Sequence, residues 1–260
     1  MHSVSRFGIV VCLTFVLMGF CCVSLTTVNA DENLVRFGEL EYGLGTEPMD
    51  PAEYQSFLRD FSHVRRDREH FDYRDYGMVT IAKNQAACGG CWAFAIAGSL
   101  ESQILIHHGF TVNLSEQYQL ACDSLSSGCC GGGIGRFEFF YDTEPRLDQF
   151  LPFVEFGTSC ESLTNCQPDC TLQPCYTFTQ SIGTTVEDGS LFTVDVGSMD
   201  DMAGAILNHG PTVFSYAAHT DFMTYWHSPA GTDPWFDGVY FNTEDSYEGG
   251  HAVLAIGYDT

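Results

Sequence analysis

The stretch Asn84-Gln85-Ala86-Ala87-Cys88-Gly89-Gly90-Cys91-Trp92-Ala93-Phe94 places two thiols, an amide and an aromatic pair side by side. Three chemistries use cysteines at this spacing. They can form a redox pair, clip a metal, or supply one nucleophile beside one disulfide. A redox pair is expected on a βαβ framework, and no parallel-strand pattern surrounds this one. A zinc site needs two more ligands close by. Cys129 and Cys130 are candidates, but a secreted chain favours disulfides over zinc thiolates.

The nucleophile reading fits best because of where Cys91 lies. The pattern after it is helical, and the start of a helix carries partial positive charge. That charge stabilises a thiolate and lowers its pKa. Cys88, in the loop just before, can be tied to a distant cysteine and hold the loop rigid. A thiolate also needs a base, usually a histidine, and a donor for the oxyanion formed when a carbonyl is attacked. Gln85 can be that donor. Among nine histidines, His209 follows a helical pattern, and His219 and His227 fall in a loop pattern. His251 stands apart: it follows Gly249 and Gly250 and opens a strand pattern.

Several elements must position these groups. From Cys91 to about His107, Phe94, Ala97, Ile104 and Leu105 make an apolar stripe, Glu101 stands off it, and Gly109 sits where the helix stops. A second helix is expected from Ser115, its N-cap, with Glu116 in the first turn. Gly128 to Gly135 is a glycine-rich loop, and Gly135 to Asp142 a short helix. Cys160 to Cys175 reads as a disulfide-pinned loop. Another helix is expected around Met202, capped by Asp200 or Asp201 and stopped at Gly210-Pro211. After Pro211 the segments Thr212–Ala218, Gly238–Asn242 and His251–Tyr258 are rich in β-branched and aromatic residues, and read as strands. Helices first and strands second imply an α+β chain of two lobes, with a cleft between them.

The N-terminal part is different. Arg6 and the apolar run Gly8–Leu25, ending near Val28-Asn29-Ala30, read as a signal peptide over residues 1–30. Residues 31–70 read as a short pro-segment or N-terminal arm, and 71–260 as the main domain. Within the segment, Gly45–Pro51 reads as a turn. An amphipathic helix follows, with Tyr54, Phe57, Leu58 and Phe61 at helical spacing, ending in the basic run Arg65–Arg68.

The chain has 260 residues, 10 basic against 34 acidic, and a net charge of -24. Six of the ten basic residues lie at or before Arg68. The acidic body argues against nucleic acid or an anionic membrane as partner, and suits acidic or saline surroundings. Of 12 cysteines, Cys12, Cys21 and Cys22 lie in the leader. Nine remain, an odd number, so an oxidising compartment leaves one thiol over.

The stretch at Gln85–Phe94 resembles the nucleophile motif of the papain-like cysteine peptidases, the papain and cathepsin family. Leu114–Asp123 followed by Gly128–Gly133 resembles that family's next segment, and Gly249–Asp259 its histidine strand. The resemblance covers about Phe71 to Thr260. It implies a two-lobe fold with a helical first lobe and an antiparallel, β-barrel-like second lobe. It implies a peptidase that uses Cys91 as nucleophile and His251 as base. Gln85 and the Cys91 N–H would form the oxyanion hole. Gly131, Gly132 and Gly250 would leave room for an extended substrate backbone. Cys88 would pair with Cys129 and Cys122 with Cys160, leaving Cys130, Cys166, Cys170 and Cys175 as two more bridges. Trp92 would pack beneath the site.

The resemblance has a break. The family's asparagine, which orients the histidine, would stand beyond Thr260, so the peptidase domain is expected to be incomplete at its C-terminus. Asn113-Leu114-Ser115 is a formal glycosylation sequon, or simply the approach to a helix cap. The resemblance implies peptide or protein substrates, a secreted or endolysosomal location, no cofactor, no metal and no stable membrane insertion. Members of that family that cleave from chain ends use added histidines or a loop that binds a terminal carboxylate; the Cys160–Cys175 loop has no histidine, so the resemblance implies an endopeptidase. The competing expectation is a catalytically inactive papain-like binding protein; a cysteine-rich zinc protein is the third.

Overall fold

The computed structural model describes residues 34–37, 40–43, 45–47, 50–60, 69–126, 128–154, 175, 181–183, 185–186, 193–195, 197–222, 240, 242 and 247–259. The leader, the basic run Arg65–Arg68, Cys160, Cys166, Cys170, His227 and most of Gly238–Asn242 lie outside these residues.

The core is built around α2 (Cys91–His108). Its alanines and large apolar residues face several sides at once, so the helix is buried rather than merely amphipathic. Trp92, Ala93, Ile96 and Leu100 pack with Leu114, Tyr118, Leu120 and Phe140. Gly109 ends the helix with φ 72, and its N–H donates to the Leu105 carbonyl. Helix α3 (Glu116–Cys122) begins at Ser115, whose hydroxyl accepts from the Tyr118 N–H at 3.0 Å. A 3-10 turn at Ile134–Glu138 runs into α4 (Phe139–Asp142), where one short helix was expected.

The strands pair two by two. β1 (Leu34–Phe37) and β2 (Leu40–Gly43) are antiparallel. β3 (Thr46–Glu47) lies parallel to β6 (Gly132–Gly133), and β4 (Leu58–Arg59) parallel to β7 (Thr193–Val194). β5 (His70–Asp72) is antiparallel to β10 (Gly257–Asp259). The longest pair is β8 (Thr212–His219) with β9 (Tyr247–Ala255), and β9 packs across α2. Among the described residues these pairs do not close into a barrel, because each strand has a single neighbour. No helix among them is long and apolar enough to cross a membrane.

Four expectations are corrected. The helix in the N-terminal segment is short: α1 (Pro51–Phe57) is capped by Asp50, which accepts from the N–H of Ala52 at 2.8 Å and Glu53 at 3.1 Å. Leu58 is already extended, because β7 offers its backbone a partner, and tertiary pairing overrides helical periodicity. Within the expected turn, Thr46 and Glu47 form a strand. Helix α5 (Met199–His209) starts earlier than expected. Its cap is Ser198, whose hydroxyl accepts from the Asp201 N–H at 3.2 Å, so Asp200 and Asp201 are first-turn acids. Cys122 bonds to Cys175 and not Cys160: the Cα atoms of Cys122 and Cys175 lie 4.8 Å apart, within bridging reach, and one sulfur takes one partner.

Cys88 is bonded to Cys129, Cys130 is also in a disulfide, and Cys91 is the free cysteine among the described residues.

Glu101, off the apolar stripe, turns out to be 1% exposed. It accepts from Lys83 Nζ at 2.7 Å, Thr80 Oγ1 at 2.5 Å and the Leu114 N–H at 2.7 Å. Lys83 also donates to Glu116 Oε1 at 2.6 Å and the Leu114 carbonyl at 3.0 Å. A buried charge survives only with such partners. This network fastens the chain just ahead of Gln85 to both α2 and α3.

Candidate active site

Cys91 is the first residue of α2, so its sulfur sits at the positive end of the longest helix described. It is 1% exposed. Burial pushes its pKa up, but the hydrogen bonding and charge of His251 outweigh this. The Thr46 hydroxyl and the Ala252 backbone add to the effect, and the net result is a thiol lowered to about 7. His251 Nδ1 is buried and makes no hydrogen bond of normal geometry among the described residues. His251 is the group that lowers the thiol most, which sets its imidazole beside the sulfur.

The opening alternatives are resolved by the disulfide. Cys88 is bonded to Cys129, so it cannot form a redox pair with Cys91 or offer a thiolate to zinc. No cluster of metal-ligating side chains occurs among the described residues.

Gln85 lies in the loop ahead of Cys91, and its side-chain amide donates to the Cys88 carbonyl at 2.8 Å. An NH₂ group carries two donors. Next to it, Ala86 has φ 49, left-handed backbone normally given to glycine. Trp92 is fully buried, and its Nε1 donates to the Gly128 carbonyl at 3.3 Å. Its indole lies directly beneath Gly132, where an added Cβ would collide with it.

Gly131, Gly132 and Gly250 do come together around an extended backbone, and that backbone is the chain's own. The Gly132 N–H donates to the Gly45 carbonyl at 2.8 Å. Gly131 has φ 151, and a Cβ there would stand 3.1 Å from the Gly45 carbonyl oxygen. A Cβ on Gly250 would run into the Thr46 carbonyl oxygen. Between these contacts the Thr46 hydroxyl reaches the sulfur of Cys91, 3.0 Å away. Sequence reasoning missed Thr46. Its only sequence signal was membership of a segment ahead of the main domain.

Residues 68–260 match the family described as papain family cysteine protease. Cathepsin O of Mus musculus is 31% identical over 215 residues, which is 82% of this chain and 59% of that protein. The chain thus spans less than two thirds of that relative's length. Among solved structures, the fold is similar to that of procathepsin B S9 from Trypanosoma congolense. The TM-score is 0.57 at 18% identity, over 84% of this chain and 68% of that one. Digestive procathepsin L2 from Tenebrio molitor gives 0.54 at 22% identity, over 84% and 70% of the two chains. With a free thiol at a helix start, a histidine beside it and a family match over most of its length, the chain belongs to the papain family of cysteine proteases.

Proposed function

We propose that the chain is the latent precursor of a cysteine-type endopeptidase, secreted or endolysosomal, with residues 31–70 as its pro-segment. The observation that carries this is the free thiol of Cys91 at the start of α2, set against His251 of β9 and covered by Thr46.

In this reading the Cys91 thiolate adds to a peptide carbonyl carbon. The oxyanion is met by the Cys91 N–H at the helix start and by the Gln85 amide. The tetrahedral centre collapses as imidazolium His251 gives its proton to the leaving nitrogen, so the C–N bond breaks and a thioester remains. His251 then takes a proton from water, hydroxide adds to the thioester, and the acid leaves with the thiol restored. Gly131, Gly132 and Gly250 provide the bare backbone edges along which the substrate lies.

Latency has a direct physical cause. The sulfur is hydrogen-bonded to the hydroxyl of Thr46, and the Thr46 carbonyl points towards Gly250. The segment thereby covers the sulfur. The endopeptidase assignment rests on the sequence, whose Cys160–Cys175 loop has no histidine.

The test is peptide hydrolysis by the acid-treated chain, with Cys91→Ala beside it. Loss of turnover in a folded Cys91→Ala protein supports the reading, and unchanged turnover ends it.

A further inference from the structure

His251 must present one ring edge to Cys91, yet its Nδ1 has no hydrogen-bond partner of normal geometry among the described residues. The ring has an aromatic neighbour on the paired strand. The residue directly opposite His251 in the β8–β9 ladder is Tyr216. Cross-strand neighbours of this kind lie close enough for their rings to meet. The two rings stand edge to face, with centroids 5.6 Å apart and planes at 88°. That geometry is favoured by the ring quadrupoles.

Tyr216 is itself held. It is 6% exposed. Phe222 meets it edge to face at 5.2 Å, and Phe214 packs at 5.9 Å. Behind these, Tyr240 stands edge to face on Phe222 at 5.1 Å, and its hydroxyl donates to Asp221 at 2.5 Å. Tyr240, Phe222 and Tyr216 thus form a continuous row of edge-to-face rings that ends on the imidazole.

We propose that Tyr216 is a positioning residue for the reaction: its ring sets the plane of the His251 imidazole so that the proton-accepting edge faces Cys91. It does not touch substrate. The inference rests on the Cys91–His251 reading above.

The test uses the whole chain and the pH dependence of Cys91 alkylation by iodoacetamide. Thr46 covers the sulfur in every variant alike, so the inflection and relative rates are the readout. His251→Ala tests the underlying pair: its inflection should move up towards that of an ordinary thiol. Tyr216→Leu should move the inflection in the same direction by less, and slow alkylation at pH 6 by about 3- to 10-fold. Tyr216→Phe keeps the ring and should restore both. A change in His251→Ala with none in a folded Tyr216→Leu overturns the positioning role alone. No change in His251→Ala overturns the Cys91–His251 reading, and the inference with it. If Tyr216→Leu does not fold, Phe222→Leu, which loosens the stack from behind, takes its place. An unmoved inflection there overturns the proposal equally.

Discussion

The Thr46 hydroxyl and the Cys91 sulfur stand 3.0 Å apart, although they are 45 residues apart in the chain. The contact does two things. It helps to lower the thiol and, in the proposed reading, fills the space a substrate carbonyl would need. Thr46→Val removes the hydrogen bond and keeps the shape. The inflection for Cys91 alkylation should then move up in pH. Losing one hydrogen bond of about 1 kcal/mol should also loosen the segment, so that acid-triggered activation runs a few-fold faster. Alkylation profiles and activation time courses of the full chain check both.

Gly250 is the other side of that grip. An alanine there would drive its Cβ into the Thr46 carbonyl, and backbone cannot give way cheaply. Gly250→Ala should displace the strand and make residues 45–47 more open to an added protease, while the disulfide-pinned body keeps its melting temperature to within a few degrees. Limited proteolysis with terminal sequencing reads this out; an unchanged cleavage rate would mean that Gly250 does not shape the segment.

The buried network of Lys83, Glu101 and Glu116 sets a pH dependence of stability. Burial pushes Glu116 up, Lys83 pulls it back only in part, and the result is about 7 against an ordinary 4.5. In the window between those values the folded chain holds a proton that the unfolded chain has released. That stabilisation is fully present below about 4.5 and is lost as pH rises through about 7. The protein should therefore gain stability on mild acidification, and Glu116→Gln should flatten the trend. Urea unfolding from pH 4.5 to 7.5 measures it. Lys83→Met leaves two buried carboxylates without their cation and should cost about 3–5 kcal/mol at neutral pH, less in acid.

Ala86 carries φ 49 beside Gln85. A left-handed alanine costs about 1–2 kcal/mol, against which glycine's extra chain entropy is smaller. Ala86→Gly should raise stability by about 0.5–1 kcal/mol. Thermal unfolding of the two proteins decides it.

What could be read directly from sequence is what local physics controls. The start and stop of α2 and the start of α3 follow from Cys91, Gly109 and Ser115, because caps and the 3.6-residue period act over a few residues. The strand character of β8 and β9 follows from their branched and aromatic residues. The motif order pointed to Cys91 and His251 before any geometry was known, and the odd cysteine count pointed to one free thiol. The partner of Cys122 was not legible, because a disulfide depends on which Cα atoms the fold brings within reach, and spacing does not encode that. The same reason hid the end of α1, where β7 competes with the helix for the backbone of Leu58. It hid Thr46, an ordinary threonine until the cleft closes around it, and Tyr216, whose meaning lies wholly in its register with His251. Residue types determined which chemistry the chain carries; only the tertiary structure decided which groups restrain it, because those contacts join segments the chain itself keeps far apart.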